Sequence, residues 1–311
     1  MMELLRFESP FACREVLNLW EEIFGREEAL LETPQVDGTE IADNLDIVYT
    51  AVENGQLLGT IHGTIPRAVP AICGLSAMCT TPAARGKGVG RILFTKIVEE
   101  MEAQGVQTMF LGTGNPIAAK LYHSLGFSYL PGSHVMVRFR QGDQVDFTRE
   151  YFRKPERIRI VPGSAALRIP IIPLVLHEGA SLILDCNTGL VDCRTMAQNR
   201  CMSLYPQYMT LAERGGAFWA AVSEQGIPGA MASVLPTELG FRADFFGCEN
   251  YLPALPQLLE ACRQKFGSVY LQIAEQNPKK IRMAEELGFR PDGAAELELG
   301  PVWLPCRIFR A

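Results

Sequence analysis

Six consecutive residues, Arg85-Gly86-Lys87-Gly88-Val89-Gly90, combine three glycines with two cations. Glycine-rich backbone that opens a helix aims free N–H groups and the positive end of the helix dipole at one spot, and such a spot holds a phosphate. The spacing rules out two other phosphate motifs. A P-loop requires Ser or Thr after its lysine, whereas Gly88 follows Lys87. A dinucleotide fingerprint requires a further glycine three places past Gly90, where Leu93 stands. Glycine-rich helix starts are common, so the chemistry of this one depends on the elements around it.

Other side chains are chemically suggestive. Tyr122 is a potential proton donor or hydrogen-bond partner, although it shares a helical face with Ala118, Leu121 and Leu125 and also suits a core. His62 alternates with Thr60 and Thr64 along a strand-like run, so it either faces a cleft as a base or is simply packed. His123, one place past Tyr122, reads as surface. Residues 32–46 contain Glu32, Asp37, Glu40, Asp43 and Asp46, which read first as a solvated acidic loop and second as a lure for an ammonium substrate.

The elements needed to position these groups follow from hydrophobic spacing and punctuation. Leu75 to Thr81 reads as a strand ended by Pro82. After the glycines, Val89, Ile92, Leu93, Ile97 and Met101 mark one face of a helix that stops at Gly105. Val106 to Leu111 is a second short strand, followed by Gly112-Thr113-Gly114-Asn115-Pro116. Asn115 suits an N-cap and Pro116 the first helical position, and Gly126 closes that helix before Phe127.

The pattern R-x-x-G-x-G on a strand–loop–helix, followed by N-P-x-A-x-x-L-Y-x-x-L-G-F on the next one, resembles the two acetyl-CoA elements of the GNAT superfamily of N-acetyltransferases. The resemblance covers most of the first half of the chain. It implies that the cofactor lies at a splay between two parallel strands ending near Thr81 and Leu111. Backbone groups of Met78, Cys79 and Thr80 would pair with the pantetheine arm. Arg85, Gly86, Lys87, Gly88, Val89 and Gly90 would bind the pyrophosphate, mainly through main-chain N–H groups. The Asn115 turn would lie along the cofactor, and Tyr122 would sit near the thioester sulfur. A thiol titrates near 8.5 and a tyrosine near 10, so Tyr122 would assist by hydrogen bonding, about tenfold to a few hundredfold in rate. Many relatives place a glutamate base on the strand before the phosphate loop, but residues 71–81 contain no carboxylate. His62 is then the candidate base, with a chain of waters as the alternative.

The chain also repeats itself. Asn115-Pro116 matches Asn277-Pro278 and Leu125-Gly126-Phe127 matches Leu287-Gly288-Phe289, both 162 positions apart. A hairpin pattern recurs as well. Tyr49 to Val52, the turn Asn54-Gly55 and Leu58-Gly59 match Trp219 to Val222, Gln225-Gly226 and Pro228-Gly229. In the second copy Phe246-Gly247-Cys248-Glu249-Asn250-Tyr251 replaces the phosphate loop, with one glycine and an anion, and Ala284 stands where Tyr122 does. The expected fold is α/β (α+β): two tandem GNAT-like domains, each a mixed central sheet flanked by helices. The expected boundaries are 1–145 for the acetyl-CoA-binding domain and 146–311 for a degenerate one, joined through the polar segment 141–156.

Bulk properties bound the remaining choices. A chain of 311 residues exceeds one ordinary core of this type. Nine cysteines, with no C-x-x-C pair, read as reduced thiols of a cytoplasmic protein rather than a zinc site or disulfide frame, so no metal is expected. The net charge of −6 argues against nucleic acid as a partner. No apolar run is long enough to span a membrane, and the N-terminus lacks the regions of a signal peptide. The resulting expectation is an N-acetyltransferase taking acetyl-CoA as co-substrate and a small-molecule or peptide amine as acceptor, acting as monomer or homodimer. The alternative is a non-catalytic acetyl-CoA-binding sensor or scaffold.

Overall fold

The computed structural model describes residues 1–11, 13–177, 183–192, 204–299 and 302–311. The first half builds on strands β1 (Met2–Glu8), β2 (Asn44–Glu53), β3 (Gln56–Pro66), β4 (Ile72–Thr80), β5 (Thr108–Gly112), β6 (Ser128–Tyr129) and β7 (Val135–Phe139). They form one sheet in the order β1-β2-β3-β4-β5-β7-β6. All pairs are antiparallel except β4 with β5. Helices α1 (Arg14–Phe24) and α2 (Arg26–Val36) cover one face; α3 (Val89–Ala103) covers the other. Helix α4 (Pro116–His123) follows β5, and α5 (Gln144–Tyr151) follows β7.

The second half repeats this plan. Its strands are β8 (Ile158–Pro162), β11 (Ala217–Ser223), β12 (Pro228–Thr237), β13 (Gly240–Gly247), β14 (Val269–Ala274), β15 (Arg290–Leu299) and β16 (Val302–Arg310). Their order, read from β8, is β8-β11-β12-β13-β14-β16-β15, and β13 with β14 is again the parallel pair. Helices α6 (Ile171–Leu176), α7 (Leu204–Glu213), α8 (Leu255–Phe266) and α9 (Pro278–Glu286) belong to this half, with a small ribbon of β9 (Ile183–Asp185) and β10 (Leu190–Val191).

Local chemistry accounts for the repeated elements. Asn54 and Gly55 both adopt positive φ (51° and 75°), the backbone that a two-residue hairpin turn demands. Both hairpins carry a bulge at the matching place, between Ala51 and Val52 and between Ala221 and Val222. Asn115 and Asn277 each cap the next helix, Asn115 accepting from the N–H groups of Ile117 and Ala118 and Asn277 from that of Lys280. Helix α3 buries Val89, Leu93, Phe94, Ile97, Val98 and Met101 against the sheet. Ile92, expected on that face, is instead 42% exposed.

The segment expected to join the halves is not a loose linker. It forms α5, and Tyr151 and Phe152 enter the core that also takes Val69, Ile72 and Phe110 from the first half and Ile227 and Tyr251 from the second. The two halves therefore share apolar burial. Residues 32–46 also depart from the expected acidic loop: α2 occupies their start, and Glu40 and Asp46 are buried. Among the described residues no helix is long and apolar enough to cross a membrane.

Candidate active site

The parallel pair β4–β5 is joined only from Ile72–Thr108 to Gly74–Phe110, and beyond these residues the strands part. A bulge sharpens the divergence. Between the pairs His62–Ser76 and Thr60–Cys79, one residue of β3 (Ile61) faces two of β4 (Ala77 and Met78). Ala77 takes φ 47°, a left-handed conformation unusual for a residue with a side chain. A cleft of about 620 Å³ opens at the splay, lined by Met78, Cys79 and Thr80 of β4, by Arg85, Gly86, Gly88, Val89 and Gly90, and by Asn115 and Tyr122. A deeper recess of about 190 Å³ adjoins it, sharing Met78, Asn115 and Tyr122 and reaching Ser76.

The loop at one end of the cleft is built to receive an anion. Gly86 and Gly88 adopt φ 74° and 81°, and Gly88 caps α3 from the left-handed region without any side-chain cap. Among the described residues nothing accepts a hydrogen bond from the N–H groups of Gly86, Gly88, Val89, Gly90 or Arg91. These donors lie at the positive end of the 15-residue helix α3. Arg85 lines the cleft; Lys87 is exposed and does not. Arg91, one place beyond the last glycine and outside the motif, does line it. Its signal was only a cation in the first turn of the helix.

At the other end, Tyr122 is 6% exposed, lines both cavities and stacks on Phe94 at 4.6 Å between ring centroids. Burial pushes its hydroxyl well above the ordinary tyrosine value, so it stays protonated as a hydrogen-bond donor. Cys79 turns its thiol into the core under α1, beside Thr60 at 3.4 Å, so only its backbone serves the cleft. The Asn115 side chain is committed to capping α4 and thereby sets where that helix starts against the cleft.

His62 does not face the cleft. The alternation on β3 holds, but Thr60, His62 and Thr64 point under α1 and α2, where the His62 ring stacks on Trp20 at 6.1 Å and is fully buried. Its Nε2 bonds the Asp46 carboxylate at 3.0 Å and its Nδ1 the Glu32 carboxylate at 3.0 Å. Burial opposes its charge, yet the two carboxylates hold the pKa up at about 9, so the ring is an imidazolium at neutral pH and no free base. Glu32 is held below the ordinary carboxyl range although burial alone would raise it, because His62 and Ser76 stabilise its charge. The Ser76 hydroxyl donates to Glu32 Oε2 at 2.9 Å. A carboxylate of α2 is thus held against Ser76 of β4, behind the recess rather than in it. Nothing local in the sequence ties residue 32 to residues 46, 62 and 76.

The matching mouth of the second half is filled. Beyond Ala243–Leu271, the last paired residues of β13 and β14, Asp244 forms a buried ion pair with Lys280 and accepts from the Cys186 N–H at 2.7 Å. Lys280 stands where Ala118 does and also donates to the Leu184 carbonyl at 3.0 Å. Ile183 and Cys186 pack on Ala274 and Cys306 in the same space. Strand β13 pairs with β12 without a bulge, and the loop before α8 is a 3₁₀ turn, Glu249–Ala254.

Residues 13–127 match the family model described as Acetyltransferase (GNAT) family. No curated protein sequence matches the chain. Among solved structures, a GNAT-family acetyltransferase from Staphylococcus aureus Mu50 is 16% identical, with 45% of this chain and all (100%) of that one aligned at TM-score 0.36. A spermidine N-acetyltransferase mutant from Vibrio cholerae is 11% identical over 50% of this chain and 92% of its own, at TM-score 0.37. A Salmonella typhimurium protein named as an acetyltransferase, solved with its cofactor acetyl-CoA, is 19% identical over 46% of this chain and 96% of its own, at TM-score 0.35. Residues 13–127, which carry β2 to β5, the glycine-rich loop and α4, thus match the acetyltransferase (GNAT) family.

Proposed function

We propose that the first half transfers an acetyl group from acetyl-CoA to a primary amine. The observation that carries this reading is the row of N–H groups at Gly86, Gly88, Val89, Gly90 and Arg91, unpartnered among the described residues, at one end of a cleft whose other end holds Tyr122. The loop and Arg85 would take the pyrophosphate, and Met78 to Thr80 would run beside the pantetheine arm. The thioester carbonyl would then lie where β4 and β5 part. A neutral amine attacks the carbonyl carbon, a C–N bond forms, the C–S bond breaks, the nitrogen gives up one proton and the departing thiolate gains one. Tyr122, kept protonated by burial, donates a hydrogen bond to the sulfur as negative charge develops there. The second half, whose mouth is filled, would not bind the cofactor.

Calorimetric titration of acetyl-CoA tests this. One site per chain is expected, abolished by Gly88→Glu, which sets an anion in the loop and a side chain at φ 81°. Absence of binding to the wild-type chain sinks the reading. A tight complex with no transfer to any amine would favour a sensor.

A further inference from the structure

A second cavity, also of about 620 Å³, opens at the opposite end of β4 and β5 from the cleft beside the glycine-rich loop. Ile72 and Thr108, the first paired residues of those strands, line it, about 20 Å along β4 from Met78. The two halves build it jointly. The turn between β3 and β4 supplies Val69 and Ala71, α5 supplies Phe147 and Tyr151, and the β11–β12 hairpin supplies Gln225 and Ile227. Gly226 fits that hairpin against the first half: it adopts φ 82°, and a side-chain carbon there would come within 3.0 Å of the Ala68 methyl. Volume and position are those of a small-molecule site between domains.

The lining has a definite chemistry. Phe139, Phe147 and Tyr151 form an aromatic wall, Phe147 lying 5.6 Å from Phe139 and stacked on Tyr151 at 5.0 Å between ring centroids. Val69, Ile72 and Ile227, all buried, add aliphatic surface. Among the described residues that line the cavity, Asp146 and Glu150 are the only charged ones, and they stand one helical turn apart on α5. Their partners Arg149 (2.6 Å) and Arg153 (3.3 Å) do not line it, and both ion pairs are solvent-exposed and therefore weak. Each carboxylate keeps one oxygen with no donor among the described residues.

We propose that this cavity binds a flat aromatic cation, its rings against Phe147 and Tyr151 and its charge toward Asp146 and Glu150. An anion would meet two carboxylates and no cation, and a small hydrated ammonium would leave the aromatic wall unused. A delocalised cation without an amine N–H is no acyl acceptor, so the site is separate from any transfer in the cleft. The inference does not depend on the acetyl-transfer reading.

The test titrates the full chain by calorimetry with N-methylacridinium and, as a matched anion, with acridine-9-carboxylate. The cation should bind once per chain, about tenfold or more tighter than the anion. Ala71→Trp, which sets an indole in the cavity from an exposed position, should abolish that binding. Asp146→Asn combined with Glu150→Gln, both exposed, should weaken the cation by about tenfold without weakening the anion, and carries the test if Ala71→Trp does not fold. Saturating acetyl-CoA should leave the affinity for the cation within about twofold. The proposal is overturned if the cation shows no saturable binding up to about 1 mM, or if the anion binds as tightly. It is equally overturned if the folded variants bind the cation like wild type, which would mark adventitious surface association. Displacement of the cation by acetyl-CoA would assign it to the cleft and also overturn the proposal.

Discussion

His62 shows how a residue's type can be read correctly and its chemistry misjudged. A strand histidine titrating near neutrality is a natural base, but enclosure between Asp46 and Glu32 converts it into a fixed cation. That has a measurable consequence for stability. The folded pKa of about 9 lies above the unfolded value near 6.5, so the favourable contribution is complete below about 6.5 and is lost as pH rises through about 9. The loss is at most about 3 kcal/mol. Urea midpoints measured across that window should fall in wild type and stay flatter in His62→Gln; equal slopes would contradict the charged ring. At the same scale, Tyr122→Phe should lower kcat by about tenfold to a hundredfold while leaving the calorimetric affinity for acetyl-CoA unchanged. A change in affinity without loss of rate would make Tyr122 a packing residue only.

At the scale of elements, the bulge in β4 separates the two halves as clearly as the loss of the glycines does. It re-aims Met78 to Thr80 toward the cleft, whereas β13 runs straight against β12. The bulge depends on Ala77 holding φ 47°. Ala77→Gly should keep both the fold and acetyl-CoA binding, while the β-branched Ala77→Val should cost about 1–2 kcal/mol in urea unfolding and weaken acetyl-CoA binding. Unchanged stability in Ala77→Val would mean that the strand can repair its register. The hairpin turn, the two asparagine caps and the face of α3 were readable from spacing because each is a local device, satisfied within a few residues of chain. The bulge was not, since Leu75 to Thr81 reads as plain strand and only pairing with β3 reveals the extra residue.

At the scale of the whole molecule, the second half contributes to the first through buried polar contacts as well as shared core. Arg168 is 2% exposed and grips Glu40 through Nε at 2.6 Å, while Asn44 donates to the Ala165 carbonyl at 3.1 Å. These contacts brace the turn between α2, which carries Glu32, and β2, which carries Asp46. Removing one partner of a buried ion pair strands the other, so Arg168→Ala should cost about 3–5 kcal/mol in denaturant unfolding. It should also raise KM for the acceptor more than it changes the affinity for acetyl-CoA. A loss below about 1 kcal/mol would show the pair to be solvated in solution. The shared core also predicts that the halves unfold together. One half has a filled mouth and the other an open one, although both follow the same strand order.

By itself the sequence determined the repeated hairpin, the strands and helices around the glycine-rich loop and the Asn-Pro turn, the punctuation between them, and the loss of those glycines in the second half. Each of these is set by residues near one another in the chain, where φ preferences, hydrophobic period and missing side chains act directly. Only the tertiary structure decided which way His62 points, that Glu32 and Asp46 enclose it, and that Lys280, Ile183 and Cys186 fill the second mouth. Those outcomes depend on groups from separate elements meeting in a low-dielectric interior. There burial and pairing, rather than residue type, determine protonation and access.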